Sequence, residues 1–213
     1  MRLPRSRHLP FAGLALLALA TAGCATMSKD ECLAVDWRTI GYEDGSAGYA
    51  GDRIAQHRKA CAKYGVVPDL TLYQSGRQAG LREYCRPANG YRLGVGGGSY
   101  GGICPAELEG PFVRAFEAGR QLYTLQARVS NTQAQLDAKR RELDRVEHGV
   151  IANAAAVVSA DSTSQDRAAA VIDTAELAER SGRIKQEIRA LEADQVRYEQ
   201  DLDAYRATQP PIT

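Results

Sequence analysis

Along the second half of the chain, apolar residues return at alternating steps of three and four. Leu122, Leu125, Val129, Thr132, Leu136, Lys139, Leu143, Val146 and Val150 make one seam, with polar breaks at Thr132 and Lys139. Leu177, Ser181, Ile184, Ile188, Leu191, Gln195, Tyr198, Leu202 and Tyr205 make a second. This period lines one face of a helix and is the spacing of coiled-coil seams. Residues 159–165, Ser-Ala-Asp-Ser-Thr-Ser-Gln, separate the two, and Ser164 or Asp166 is placed to cap the second helix. Gly149 and the Ala-rich stretch 152–156 soften the first arm near its end, and Pro210 and Pro211 close the second. Two antiparallel arms of about 40 residues would reach roughly 60 Å. The pattern predicts a helical hairpin over 111–208 with a flexible tail at 209–213. Pairing of the same seams between two chains is the alternative.

Upstream the grammar changes. Residues 32–110 are rich in Gly, Tyr and Cys, whereas 111–208 are rich in Ala, Gln, Glu, Arg and Leu. Helical segments are predicted over 51–63 and 70–84, separated by the turn Gly65-Val66-Val67-Pro68-Asp69, with Asp69 capping the second. A loose signature recurs: Tyr42-Glu43-Asp44-Gly45, Tyr73-Gln74-Ser75-Gly76 and Phe116-Glu117-Ala118-Gly119. The intervals differ, so this is no strict solenoid. Glycines at i and i+4 bare a strip of helix backbone. Each costs about 1 kcal/mol against Ala, so close helix packing, or a ligand groove floored by glycine, must offset it. The expected fold is mainly α: a small disulfide-stapled Gly/Tyr-rich helical domain followed by a long antiparallel, coiled-coil-like hairpin.

The N-terminus reads as a targeting segment. Arg2, Arg5 and Arg7 precede an apolar run from Leu9 to Ala20, too short to span a bilayer and right for the core of a secretory signal. The run ends in Thr21-Ala22-Gly23-Cys24, which resembles the bacterial lipobox, except that Thr21 stands where a large aliphatic residue is usual. That resemblance implies cleavage after residue 23, lipid on Cys24 and a lipidated tether over 24–31. Ala25, rather than Asp, after the cysteine implies sorting to the outer membrane, facing the periplasm. More than one acyl chain gives stable anchoring, at about 0.8 kcal/mol per buried methylene.

Removing residues 1–23 takes away three arginines and no acid, so the net charge of +1 becomes −2. A near-neutral exported chain is a poor nucleic-acid ligand. Besides Cys24 there are four cysteines, and an even number in an oxidising compartment reads as two disulfides. Of the three possible pairings, Cys32–Cys61 and Cys85–Cys104 are favoured because each flanks one sequence unit. A zinc site is the rival, but no Cys-x-x-Cys pair or His partner supports it, so no metal or cofactor is expected.

Candidate chemistry is sparse. His57 and Cys61 stand four apart on one helix, the spacing of a Cys–His dyad that Asp44 or Asp52 could orient. The plain alternative is a disulfide cysteine beside an exposed His. Glu43 and Asp44 could act as paired carboxylates, but neighbours on a helix diverge by about 100°. A solvated or capping pair is preferred. The loop Gly94–Gly102 lacks the Gly-Lys of a phosphate cradle, and His148 reads as a solvated side chain. Trp37, Tyr42, Asp44, His57, Tyr73 and Tyr84 remain as a possible ligand or packing surface, and Trp37 with tyrosines could form a stacking platform for sugar rings.

The stretch from Cys32 to about Leu125 resembles a family of proteobacterial lipoproteins known only as domain of unknown function 2799. The residues that carry it are Asp36-Trp37, Gly41-Tyr42, Asp44-Gly45, His57, Cys61, Pro68-Asp69, Tyr73-x-x-Gly76-x-x-x-Gly80-Leu81, Tyr84-Cys85, Gly90 to Gly98, Tyr100, Cys104-Pro105 and Phe116-x-x-Gly119. The family implies localisation and domain extent but no activity. The resulting expectation is a non-enzymatic envelope lipoprotein whose hairpin contacts another envelope protein, peptidoglycan or a second copy. A periplasmic enzyme or a glycan binder acting on cell-wall material is the alternative.

Overall fold

The computed structural model describes residues 27–208, which form seven helices and, among the described residues, no strand. The signal segment, the lipidation candidate Cys24 and the tail 209–213 lie outside the described residues. The helices are α1 Lys29–Ala34, α2 Trp37–Ser46, α3 Arg53–Ala62, α4 Leu70–Tyr84, α5 Pro87–Val95, α6 Ala106–Val158 and α7 Ser164–Thr208. Among the described residues no helix is long and apolar enough to cross a membrane.

Local chemistry sets the helix starts. Ser28 and Glu31 form a capping box on α1, the Asp36 carboxylate accepts from the Arg38 N–H at the start of α2, and Asp69 accepts from the Leu72 N–H at the start of α4. At α7 the cap is Thr163. Its hydroxyl accepts from the Asp166 N–H, and the Asp166 carboxylate accepts in return from the Thr163 N–H. The cap thus sits one residue before Ser164, with Asp166 as its reciprocal partner.

Glycine decides the packing of the compact part. Helices α2 and α4 meet along Gly41 and Gly45 on one side and Gly76 and Gly80 on the other. A Cβ on Gly76 would overlap the Arg38 carbonyl oxygen, so the two backbones approach as only glycine allows. Helices α5 and α6 repeat the arrangement with Gly90 and Gly94 against Gly119, whose Cβ would overlap the Tyr91 carbonyl oxygen. The glycine strips face neighbouring backbone, so they floor no ligand groove.

Two cores flank these pairs. Met27, Cys32, Trp37, Cys61 and Tyr73 form the first, and Leu81, Cys85, Cys104, Phe112 and Phe116 the second. Each encloses one disulfide, Cys32–Cys61 and Cys85–Cys104. The closed loops span 29 and 19 residues, worth about 3–4 kcal/mol each in the chain-entropy model.

Helix α6 runs unbroken through the compositional boundary at 110/111 and through Gly149 to Val158. Its first five turns pack on α5, and the rest pairs with α7 as an antiparallel hairpin. Thr132, Leu136, Val146, Ser181, Ile184 and Leu202 are buried along the seam. Ion pairs Lys139–Glu187, Arg140–Glu192, Arg180–Glu142 and Lys185–Glu147 cross it. At the base the Tyr205 hydroxyl donates to the Ala118 carbonyl at 2.7 Å.

Candidate functional site

The polar centre of the molecule is Asp44. It faces inward from α2, one residue before the Gly45 that lets α4 approach, and is only 6 % exposed. Two buried side chains converge on its Oδ2 atom. The Tyr73 hydroxyl donates to it at 2.7 Å, and His57 Nε2 lies 2.7 Å away. With the carboxylate charged, that imidazole nitrogen must be the donor. The Nε atom of Arg53 stands 3.9 Å from Oδ1, and the Arg53 guanidinium lies 4.4 Å over the Tyr49 ring. Burial first, and then the hydrogen bond to Asp44, hold the Tyr73 phenol well above the ordinary tyrosine range.

The dyad of His57 with Cys61 is not formed as a nucleophile. Cys61 is fully buried in its disulfide with Cys32. Nor is His57 an exposed neighbour, as the sequence suggested: it is 4 % exposed. One turn of α3 puts both residues on the inward face, and the disulfide pins that face against the α1–α2 corner. Glu43 and Asp44 are likewise no solvated pair. Asp44 is buried and Glu43 is exposed, yet both line one cleft. Asp52 makes no side-chain cap, and the residue beside Asp44 is Arg53.

The cleft has a volume of about 720 Å³ and lies between α1, α2 and the start of α3. Met27, Ala34, Val35, Ile40 and Ala47 give it apolar walls, and Asp44, Arg53 and His57 close one end. Its size falls within the usual range for small-molecule sites. Among the described residues no three His, Cys, Asp or Glu side chains are placed to hold a metal ion.

Of the six residues proposed as a shared surface, Asp44, His57 and Tyr73 come together. Trp37 is buried in the same core as Tyr73. Tyr42 is exposed, and Tyr84 stacks on Phe112 in the second core with ring centroids 5.6 Å apart. Trp37 is absent from the cleft lining and Tyr49 is its one tyrosine, so the stacking platform for sugars is not formed. Arg53, Tyr49 and Ile40 are site residues that the sequence reading missed. Only the helical register from His57 back to Arg53 pointed at one of them.

No curated protein and no solved structure matches the chain. Residues 36–121, from α2 to the first turns of α6, match the model of the family described as Protein of unknown function (DUF2799).

Proposed function

We propose that the protein is a non-enzymatic lipoprotein of the cell envelope, anchored through Cys24 to the outer membrane. In this reading its compact domain sits at the bilayer and its hairpin carries a partner-binding surface into the periplasm. The observation that supports it most is the form of α6. One continuous helix is both part of the glycine-packed domain and one arm of the hairpin, so the arm is rigidly aimed. From Tyr123 to Val158 it extends about 50 Å. Near its far end Ile151, Val158, Val171 and Ile172 are exposed. The partner is another envelope protein, peptidoglycan or a second copy.

Two experiments test this. Metabolic labelling with a clickable palmitate should mark the chain and fail on Cys24→Ser; an unlabelled wild type removes the anchor. Crosslinking in the native envelope should retrieve a partner with the full chain and lose it when the chain is truncated after Val129. Retention by the truncated form would move the contact away from the hairpin.

A second reading, small-ligand binding in the compact domain, is favoured by the cleft that meets the buried Asp44–His57–Tyr73 group.

A further inference from the structure

The compact domain contains its own control. Residues 41–48 of α2, Gly-Tyr-Glu-Asp-Gly-Ser-Ala-Gly, correspond to residues 90–97 of α5, Gly-Tyr-Arg-Leu-Gly-Val-Gly-Gly. Residues 73–84 of α4 correspond to residues 112–123 of α6, with Gly80 matching Gly119 and Tyr84 matching Tyr123. The contacts obey the same register. A Cβ on Gly41 would meet the carbonyl of Tyr73, and one on Gly90 the carbonyl of Phe112. Gly45 faces the Arg77 carbonyl as Gly94 faces that of Phe116. Gly48 and Gly97 both have positive φ, and each lies under a tyrosine ring, Tyr84 and Tyr123. The cysteines follow suit, since Cys32 and Cys85 precede the first helix of each pair and Cys61 and Cys104 precede the second. The domain is two copies of one unit.

The copies differ in one buried group. Asp44, one before Gly45, corresponds to Leu93, one before Gly94. His57, four before Cys61, corresponds to Tyr100, four before Cys104. Tyr73 corresponds to Phe112. In the second unit Tyr100 packs on Phe112 with centroids 4.9 Å apart, as His57 packs on Tyr73 at 6.2 Å in the first. The fold therefore closes without a buried acid and imidazole: Leu93 and Phe112 are apolar, and the Tyr100 hydroxyl donates to Glu109 and accepts from the Cys104 N–H. The first unit also adds α1 and α3; in the second, Cys85 caps α4 directly and residues 96–105 form no helix. Every addition borders the cleft. Two buried atoms of the cleft wall have no hydrogen-bond partner: Nδ1 of His57 and Nε of Arg53, the latter 3.9 Å from Asp44 Oδ1. Leaving a buried polar atom unpaired is unfavourable, and a bound group can relieve it.

We propose that this cleft binds an organic cation, an amine carried on an apolar body; the assignment rests on the second reading above. Charge selects the class. Five carboxylates, of Asp30, Glu31, Asp36, Glu43 and Asp44, line the cleft against Arg53 and His57. Glu31 and Asp36 serve helix caps, and Asp44 answers Arg53. Asp30 and Glu43 have no ion-pair partner among the described residues and stand at the rim beside apolar walls. A ligand ammonium meets those two carboxylates while its apolar body lies along Ile40, Val35 and Ala47. An anion would face uncompensated negative charge.

The test is an NMR titration of the intact protein with n-hexylammonium, hexan-1-ol and hexanoate, three probes that share one apolar body. Hexylammonium is expected to give saturable shifts at the amides of Thr39, Ile40, Glu43 and Ala47. Its affinity should exceed that of hexanol by about tenfold, and hexanoate should leave these amides unmoved. The double variant Asp30→Asn/Glu43→Gln alters exposed side chains only and should lose most of that preference with an unchanged melting temperature. Equal binding of the ammonium and the alcohol, or an undiminished preference in the double variant, overturns the cation assignment and leaves a ligand site. Absence of cleft shifts with all three probes overturns the assignment and the ligand-binding reading together.

Discussion

Gly76 shows how much one side chain decides here. Its α-carbon faces the Arg38 carbonyl, and an added methyl has nowhere to go because the obstacle is backbone rather than a movable side chain. Gly182, exposed on α7, meets nothing within 4 Å. The same substitution should therefore act with opposite signs. Gly76→Ala is expected to destabilise by about 3 kcal/mol or more through forced separation of α2 and α4. Gly182→Ala is expected to stabilise by about 0.5–1 kcal/mol through helix propensity. Urea unfolding of the two variants checks both signs. At this scale the sequence was partly legible. Glycines four apart pointed to close packing, but the choice between packing and a ligand floor needed the partner helix. The burial of His57 was not legible, because what buries it comes from α1 and α2, far along the chain.

At the scale of elements, periodicity told most. Helix α4 spans the predicted 70–84 and the helix predicted over 51–63 forms over Arg53–Ala62. Both predicted seams lie along the α6–α7 interface, because a stripe of one period over forty residues has few other ways to bury itself. The softening expected at Gly149 and the alanines does not end α6. Alanine is a strong helix former, and Gly149 sits against Leu177 of α7. The duplicated unit was hidden for a different reason. The signature Tyr-x-x-Gly occurs in both helices of a pair, so matching by motif mixed first helices with second ones. The pH response of the hairpin belongs to this scale. Hydrogen bonds from Arg180 first, and then Lys139, hold the Glu142 carboxyl below the ordinary glutamate range. A group with a lowered native value stabilises the fold above its unfolded value, near 4.3, and the contribution is lost as pH falls through the native one. Glu142→Gln should thus lower the hairpin's melting temperature slightly at neutral pH and not at all at strongly acidic pH. High salt should shrink the difference. Circular dichroism melts across pH measure it.

At the scale of the whole molecule, three parts have distinct tasks. The second unit closes without a buried acid and imidazole and ties the hairpin to the domain. The hairpin has reach. The first unit carries a buried acid, an imidazole and a phenol that its sister unit does without, and these border the cleft. The account claims that this polar group serves binding and is dispensable to the fold. Removing one member is a different act from replacing the set. Asp44→Ala leaves His57 and Tyr73 without their shared acceptor and Arg53 without its counter-charge, and is expected to cost about 3–5 kcal/mol. The triple variant Asp44→Leu/His57→Tyr/Tyr73→Phe installs the residues of the second unit and removes Asp44 together with its two buried hydrogen-bonding partners, leaving Arg53, whose side chain is 26 % exposed, to solvent and the Tyr49 ring. Equilibrium urea unfolding of both against the natural chain is the most direct test. The account predicts that the triple variant is the more stable of the two and stays within about 1 kcal/mol of the natural chain. A triple variant that loses as much stability as Asp44→Ala would show the polar group to be part of the fold itself and would contradict the account.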